Sequence, residues 1–231
     1  MTIGIIGAME SEVSLLKSKL TNPQIKQAAG LEFFIGSLGG KNVVVVQSGI
    51  GKVNAALCAQ ALISLFGVNY VVNTGVAGGL CPSLNIGDIV VSADLVQHDM
   101  DVAHFNYPRG TVPGLNIGFF CADTNLVQTA VKAGEMIKTA ITTGRIATGD
   151  CFVSDIEKKQ DITQTFNAAC VEMEGAAIAQ TCFLNNVPFV VIRAISDKAD
   201  ESATVSFDKF VVQAAQNSSN LVEKMLYLLE S

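Results

Sequence analysis

Tryptophan is absent from this chain of 231 residues, and aromatic residues as a group reach only 6%. The interior must therefore be packed from Val, Ile, Leu and Ala. Arginine is scarce as well, occurring only at 109, 145 and 193. With a net charge of -6 and a pI near 4.9, the chain lacks the basic stripe that a phosphate backbone demands, which argues against nucleic acid as a partner. No apolar run approaches the roughly 18 residues needed to cross a bilayer. The first residues carry no cationic region ahead of their short apolar run and no cleavage-like tail, so neither a signal peptide nor a membrane association is expected. A soluble, cytoplasmic protein follows as the expectation. Six cysteines are scattered without a C-x-x-C pair, and they are read as reduced core residues that behave like small hydrophobes. The only His/Asp cluster is His98-Asp99-Met100-Asp101 with His104. One contiguous loop rarely closes a metal site, and no matching His or Cys ligands stand elsewhere, so no metal is expected.

What the chain has is aliphatic bulk: 49% hydrophobic residues and a mean hydropathy of +0.41. That is enough to build one substantial core, and residues 1–231 are read as a single domain. Strand-like runs cover residues 3–6, 33–35, 43–46, 70–73, 89–91, 141–147, 168–173 and 189–195. Runs such as Val43-Val44-Val45-Val46 suit strands covered on both faces, and Gly39-Gly40 marks a hairpin. Helical spacing appears over residues 10–20, 52–65, 123–138, 157–166, 175–184 and 206–229, with Asp123 placed as an N-cap. Alternation of this kind predicts an α/β fold with a mixed, largely parallel central sheet. Residues 97–118 form a long polar stretch with Pro108 and Pro113, and a loop of that length is usually functional.

Chemistry gathers at the ends of the apolar runs. Val171-Glu172-Met173-Glu174-Gly175 and Arg193-Ala194-Ile195-Ser196-Asp197 present carboxylates where a core would normally end. Residues two apart on a strand share a face, so Glu172 and Glu174 would point together unless the strand end bends. Such a face is costly to bury without partners, and the carboxyl ends of parallel strands border ligand crevices. Glu10 and Glu12 open a helix, where acidic residues favour the helix dipole; they do not share a helix face, so at most one can enter a crevice. Gly4-Ile5-Ile6-Gly7 lacks the remaining glycines of a dinucleotide fingerprint, and Ser48-Gly49-Ile50-Gly51-Lys52 lacks the spacing of a P-loop. The latter still precedes a helix N-terminus, a natural site for an anion or a hydroxyl. Asn73-Thr74-Gly75-Val76-Ala77-Gly78-Gly79 reads equally well as a close-approach ligand site and as a tight strand-exit turn.

Taken in order, Ile3-Gly4-Ile5-Ile6-Gly7-Ala8-Met9-Glu10, Ser48-Gly49-Ile50-Gly51-Lys52-Val53, Asn73-Thr74-Gly75, Val171-Glu172-Met173-Glu174 and Arg193-Ala194-Ile195-Ser196-Asp197 resemble the 5′-methylthioadenosine/S-adenosylhomocysteine nucleosidases of the nucleoside phosphorylase superfamily. The resemblance spans nearly the whole chain. It implies a three-layer domain with helices flanking the central sheet, and hydrolysis of the N-glycosidic bond between adenine and a 5′-thio-substituted ribose. 5′-Deoxyadenosine is a further implied substrate, and methionine salvage with removal of methyl-cycle by-products is the implied setting. No cofactor is implied. Asp197 would protonate the adenine, Glu12 would activate water, Glu174 would hold the ribose hydroxyls beside Met173, and Arg193 would orient the water. Ser196 and Glu172 lie next to these positions.

Within Gly149-Asp150-Cys151-Phe152-Val153, Phe152 would stack on adenine, while the backbone at Phe152 or Val153 reads its edge. Met9, Ile50 and Phe207 would line the apolar 5′ region, and Ala8, Val76, Ala77 and Gly78 join the implied substrate contacts. The resemblance implies a homodimer, with Val102, Phe105 and Pro113 reaching the neighbouring subunit's pocket. Val76 stands where some relatives carry serine, which removes a hydroxyl near the sugar. Two alternatives share the fold: a purine nucleoside phosphorylase, which needs converging cations for phosphate, and a 6-amino-6-deoxyfutalosine hydrolase. A noncatalytic nucleoside sensor would keep the pocket without its acid or base.

Overall fold

The computed structural model describes residues 1–229. Ten strands form one sheet: β1 (Thr2–Gly7), β2 (Thr21–Ala28), β3 (Leu31–Leu38), β4 (Lys41–Gln47), β5 (Tyr70–Gly79), β6 (Ile89–Gln97), β7 (Phe120–Cys121), β8 (Ile141–Thr148), β9 (Cys170–Glu172) and β10 (Phe189–Asp197). Six helices are described: α1 (Glu10–Ser18), α2 (Lys52–Phe66), α3 (Thr124–Ile137), α4 (Ile156–Phe166), α5 (Gly175–Leu184) and α6 (Ala203–Leu228). No helix among the described residues is long and apolar enough to cross a membrane.

The sheet is mixed, as expected, and parallel where β1 joins β4 and β5 and where β5 joins β10. Antiparallel pairing enters at β2, β3 and β7 and where β10 meets β6. Its order is β10-β6-β8-β9-β5-β1-β4-β3-β2, and β10 also pairs with β5. Strands β5, β10, β6, β8 and β9 therefore close a ring. Closure of this kind tilts strands against one another and brings several carboxyl ends to one rim.

Apolar side chains explain the layers. One cluster packs α2 and α5 onto the sheet through residues such as Cys58, Leu62, Ile178 and Cys182. A second packs α1, α3 and α6 through Leu16, Ala130, Leu221 and Met225. Helix α6 crosses β5 and β10, where Ser218 Oγ meets Thr74 Oγ1 at 2.6 Å and Ser219 Oγ donates to the carbonyl of Glu12 at 2.9 Å. Asp123 does cap α3, accepting from the Leu126 N–H at 2.9 Å.

Three local expectations change. Strand β2 was not anticipated, because Thr21–Ala28 is polar and almost wholly exposed; it is held by its antiparallel ladder to β3 rather than by burial. The glycines after Asn73 lie inside β5, not in a turn. Strand β9 ends at Glu172, and the chain bends at Glu174, the residue preceding α5, with φ -132° and ψ -39°. Glu172 and Glu174 thus do not share a strand face. The long polar stretch holds only a short 3-10 turn at Ala103–Phe105 and a bridge between Val112 and Ile117.

Arg145 fastens the ring. Its Nε donates to Asp94 Oδ1 at 2.6 Å, its Nη2 to Asp94 Oδ2 at 2.9 Å and its Nη1 to the Phe166 carbonyl at 2.8 Å, joining β8 to β6 and to the end of α4. Hydrogen bonds to charged groups contribute about 1.5–3 kcal/mol each when well sheltered, and this pair is only partly buried. Arg145→Met is expected to lower the unfolding free energy by about 2 kcal/mol in urea titration. A change under about 0.5 kcal/mol, the range of an ordinary surface substitution, would refute this fastening role.

Candidate active site

A cleft of about 610 Å³, counting its open mouth, sits at the carboxyl ends of β1, β5, β9 and β10, a position and size typical of small-molecule sites in α/β sheets. The β1–α1 turn places Ala8, Met9 and Glu12 in its wall, and the turn before α2 places Ile50. Strand β5 forms the floor with Val76, Ala77 and Gly78. The end of β9 brings Glu172, Met173 and Glu174; the end of β10 brings Ser196 and Asp197. Phe152, Val153 and Phe207 close the apolar side, with the Phe152 and Phe207 rings edge to face at 5.7 Å.

Two lining residues were not anticipated, Cys151 and Val171. Arg193, expected beside the water, does not line the cleft and is buried behind its wall. Val102, Phe105 and Pro113, expected to reach a neighbouring subunit's pocket, do not line this chain's own cleft, and Phe105 is 75% exposed.

The carboxylates are sheltered: Glu12, Glu172, Glu174 and Asp197 are 4%, 6%, 6% and 2% exposed. Each has a distinct set of partners. Glu12 stands at the third position of α1, so its side chain reaches back over the helix start. Its Oε2 accepts from the N–H groups of Ala8 at 2.7 Å and Met9 at 3.0 Å, and its Oε1 from that of Val76 at 3.0 Å. Burial raises its pKa, opposed by the charge of Arg193 and these three amides. Gly75 makes the approach feasible, since a Cβ there would stand 2.5 Å from Glu12 Oε1.

Asp197 lies on the other side of β5, against Gly78, where a Cβ would stand 2.9 Å from its Oδ1. It accepts from the Ala199 N–H at 2.8 Å and from Ser196 Oγ at 2.8 Å. Burial raises its pKa and these two bonds resist the rise. With fewer amides and no adjacent guanidinium, Asp197 has less support for its charged form than Glu12.

Glu172 serves the frame. It pairs with Arg193 Nη2, accepts from Thr148 Oγ1, and takes the N–H groups of Glu174 at 3.0 Å and Gly175 at 2.8 Å. The last two bonds satisfy free donors at the start of α5 and place a negative charge at its positive end. Arg193 also donates to Asn73 Oδ1 at 2.6 Å, and Asn73 Nδ2 in turn donates to the Ile6 carbonyl at 2.9 Å. Asn73 and Thr148 were missed as site residues. Their one sequence signal is a polar residue within an apolar strand.

Glu174 accepts from the N–H of Gly51 at 2.8 Å. Gly51 precedes α2 with a φ of 97°, a conformation that favours glycine. Asp150 Oδ1 takes the next N–H of that helix, from Lys52, at 2.8 Å. The α2 N-terminus expected to receive an anion is thus already answered by two of the chain's own carboxylates. Among the described residues no group of three or more His, Cys, Asp or Glu is arranged to hold a metal ion.

This site on this sheet is the arrangement of a known class, and the family model described as Phosphorylase superfamily matches residues 2–227. The chain belongs, within that class, to the 5′-methylthioadenosine/S-adenosylhomocysteine nucleosidase family: a curated relative of that name from Anoxybacillus flavithermus is 47% identical over 228 residues, covering 98% of each chain. A solved nucleosidase of the same name from Colwellia psychrerythraea, in complex with adenine, is similar with a TM-score of 0.94 and 48% identity, covering 98% of this chain and 94% of that one. The futalosine hydrolase of Helicobacter pylori is also similar, with a TM-score of 0.95 and 37% identity over 99% of this chain and 98% of its own.

Glu174 gives the site a pH signature. Burial and then the charge of Glu172 push its pKa from 4.5 to about 8, against Arg193 and the Gly51 N–H. A raised carboxyl pKa contributes stability at low pH and loses it as the pH rises from 4.5 to about 8, because the folded state holds the proton more tightly than the unfolded chain. Glu174→Gln keeps the oxygen that accepts from Gly51 and cannot ionise. Its melting temperature is expected to gain on the parent protein across that window. A constant difference between the two from pH 4 to 9 would show that Glu174 is not responsible.

Proposed function

We propose that this chain hydrolyses the N-glycosidic bond of 5′-methylthioadenosine and S-adenosylhomocysteine, releasing adenine and the free 5′-thio-substituted ribose. The observation that carries the choice of water over phosphate is the lining of the cleft: Glu12, Glu172, Glu174 and Asp197 face it and no Lys or Arg does. A phosphate dianion entering that space would meet carboxylates and no cation to offset them. The guanidinium behind the wall is already engaged by Glu172, Asn73 and Glu174.

Cleavage of this bond builds positive charge on the sugar and negative charge on the departing base, so it needs a proton donor for adenine and a base for the attacking water. Asp197, with its raised pKa and sparse support for the charged form, suits the donor. Glu12 suits the base, because burial raises its pKa and so strengthens it as a proton acceptor, while three amides and the nearby charge of Arg193 support the carboxylate. The pair divides two opposite duties by environment, as paired carboxyl groups do in glycoside hydrolysis. As the C–N bond breaks, the Asp197 proton passes to the base; water adds to the anomeric carbon and gives its proton to Glu12. Arg193 acts on that water only through Glu12.

Glu174 then holds the ribose hydroxyls beside Met173. Phe152 and Val153 bound the purine end, Val76 lies near the sugar, and Met9, Ile50 and Phe207 present apolar surface to the 5′ substituent. The resemblance and the length of the loop that carries Val102, exposed Phe105 and Pro113 support assembly as a homodimer in which this loop completes the neighbour's cleft.

Four measurements test the reading. Asp197→Asn and Glu12→Gln preserve shape and are each expected to lower kcat on methylthioadenosine by about 10²- to 10⁴-fold; near-parental turnover in either would remove that residue from the mechanism. Free sugar should form at the same rate with and without phosphate, and a phosphate-dependent sugar 1-phosphate would mark a phosphorylase instead. A panel including 5′-deoxyadenosine and 6-amino-6-deoxyfutalosine ranks the substrates, the last being the test of a futalosine-type activity. Phe105→Glu should weaken both activity and dimerisation in sedimentation, whereas a fully active monomer would contradict the shared cleft.

A further inference from the structure

The His98-Asp99 pair stands where three segments meet beside the cleft. Asp99 Oδ1 accepts from Lys52 Nζ at 2.7 Å and Asp99 Oδ2 from the Asp150 N–H at 2.9 Å. Asp150 Oδ1 accepts from the backbone N–H of the same Lys52 at 2.8 Å. These three bonds run from Lys52 to Asp99, from Asp99 to Asp150 and from Asp150 back to Lys52. Lys52 Nζ adds a fourth bond to Gln97 Oε1 at 3.1 Å, and Gln97 Nε2 donates to Gln180 Oε1 on α5 at 2.6 Å.

The backbone itself is shaped for this closure. Gly51, at a φ of 97°, lies where a Cβ would stand 3.0 Å from Asp150 Oδ1, and at Gly149 a Cβ would stand 2.3 Å from His98 Nε2. Burial alone would raise the Asp99 carboxyl, but the Lys52 ammonium and the Asp150 N–H outweigh it and hold it below its ordinary value. None of Lys52, Asp99 or Asp150 lines the cleft. Their immediate neighbours do: Ile50 precedes Lys52 by two residues, and Cys151, Phe152 and Val153 follow Asp150.

We infer that Lys52, Asp99 and Asp150 are positioning residues that set the distance between the Ile50 wall at the 5′ end and the Phe152 wall at the purine end, and so fix the width of the substrate slot. The inference rests on the nucleosidase reading for the identity of the ligand, but not for the existence of the clamp. A slot set this way governs binding more than bond cleavage, because Glu12 and Asp197 are held by other partners. The same closure also steadies the Gly51 N–H that Glu174 accepts.

Asp150→Ala removes the acceptor for the Lys52 N–H; Asp150→Asn restores an oxygen at the same place. Alanine is expected to raise KM for methylthioadenosine about tenfold with kcat within about twofold, and asparagine to return KM to within about twofold of the parent. Amide hydrogen exchange gives a readout independent of activity: the Lys52 amide should lose protection in Asp150→Ala and keep it in Asp150→Asn. Unchanged KM and exchange in the alanine variant would overturn the clamp. So would an asparagine variant no better than alanine, or a fall in kcat at constant KM, which marks only a smaller active fraction. If Asp150→Ala does not fold, Asp99→Ala takes its place, with the amide of Asp150 as the reporter and the same split expected between KM and kcat. A parent protein that leaves methylthioadenosine intact would defeat the nucleosidase reading while the exchange data still decide the clamp.

Discussion

Arg193 enters the interior on β10 at 2% exposure, and its charge is answered by Glu172 on a neighbouring segment of the rim. A guanidinium so placed cannot lose its proton, and a buried charge without its partner costs about 3–5 kcal/mol. Glu172, Asn73 and the backbone around them are therefore held in one arrangement. Because Glu172 also accepts from the first donors of α5, the ion pair sets where that helix begins, and with it the positions of Met173 and Glu174. Asn73 carries the same constraint across β5 to the carbonyl of Ile6 on β1, one turn away from Glu12. The segment of the rim that carries Glu172, Met173 and Glu174 is thus hung on one cation that does not line the cleft.

That organisation explains how several acidic groups coexist in so small a volume. Each is buried, and a buried charge needs support, but the support differs from one to the next. Glu172 receives a full countercharge, Glu12 receives three amides, Glu174 receives one amide and Asp197 one amide and a hydroxyl. Graded support of this kind spreads the tendency to hold a proton across neighbouring carboxyl groups, which is the condition for one to donate while another accepts. The glycines of β5 contribute by omission: at Gly75 and Gly78 the missing Cβ leaves room for carboxylate oxygens on each side of the strand.

Much of this was legible in the chain. Aliphatic runs identified the buried strands, the spacing of apolar residues identified the helices, and carboxylates at strand ends identified Glu172, Glu174 and Asp197 as out of place. Local patterns could not show β2, whose polar residues owe their conformation to β3, nor the bend at Glu174, which follows from the demand of α5 for an acceptor. The resemblance implied a place for Arg193 beside the attacking water, and on a regular strand a residue four positions from Asp197 would share its face. The register shift between Ile195 and Asp197 on β10 breaks that relation, and Arg193 is buried behind the wall.

Composition and periodicity by themselves determined the class of layers, the aliphatic core and the absence of a basic face, because these depend only on the order of apolar and polar residues along the chain. Tertiary structure alone decided which carboxylates share a cleft, which one is consumed by Arg193, and which oxygens answer the start of α2. Those outcomes depend on distances between residues remote in the chain, such as Gly51 and Glu174 or Asn73 and Arg193. Such distances exist only once the ring of strands has closed.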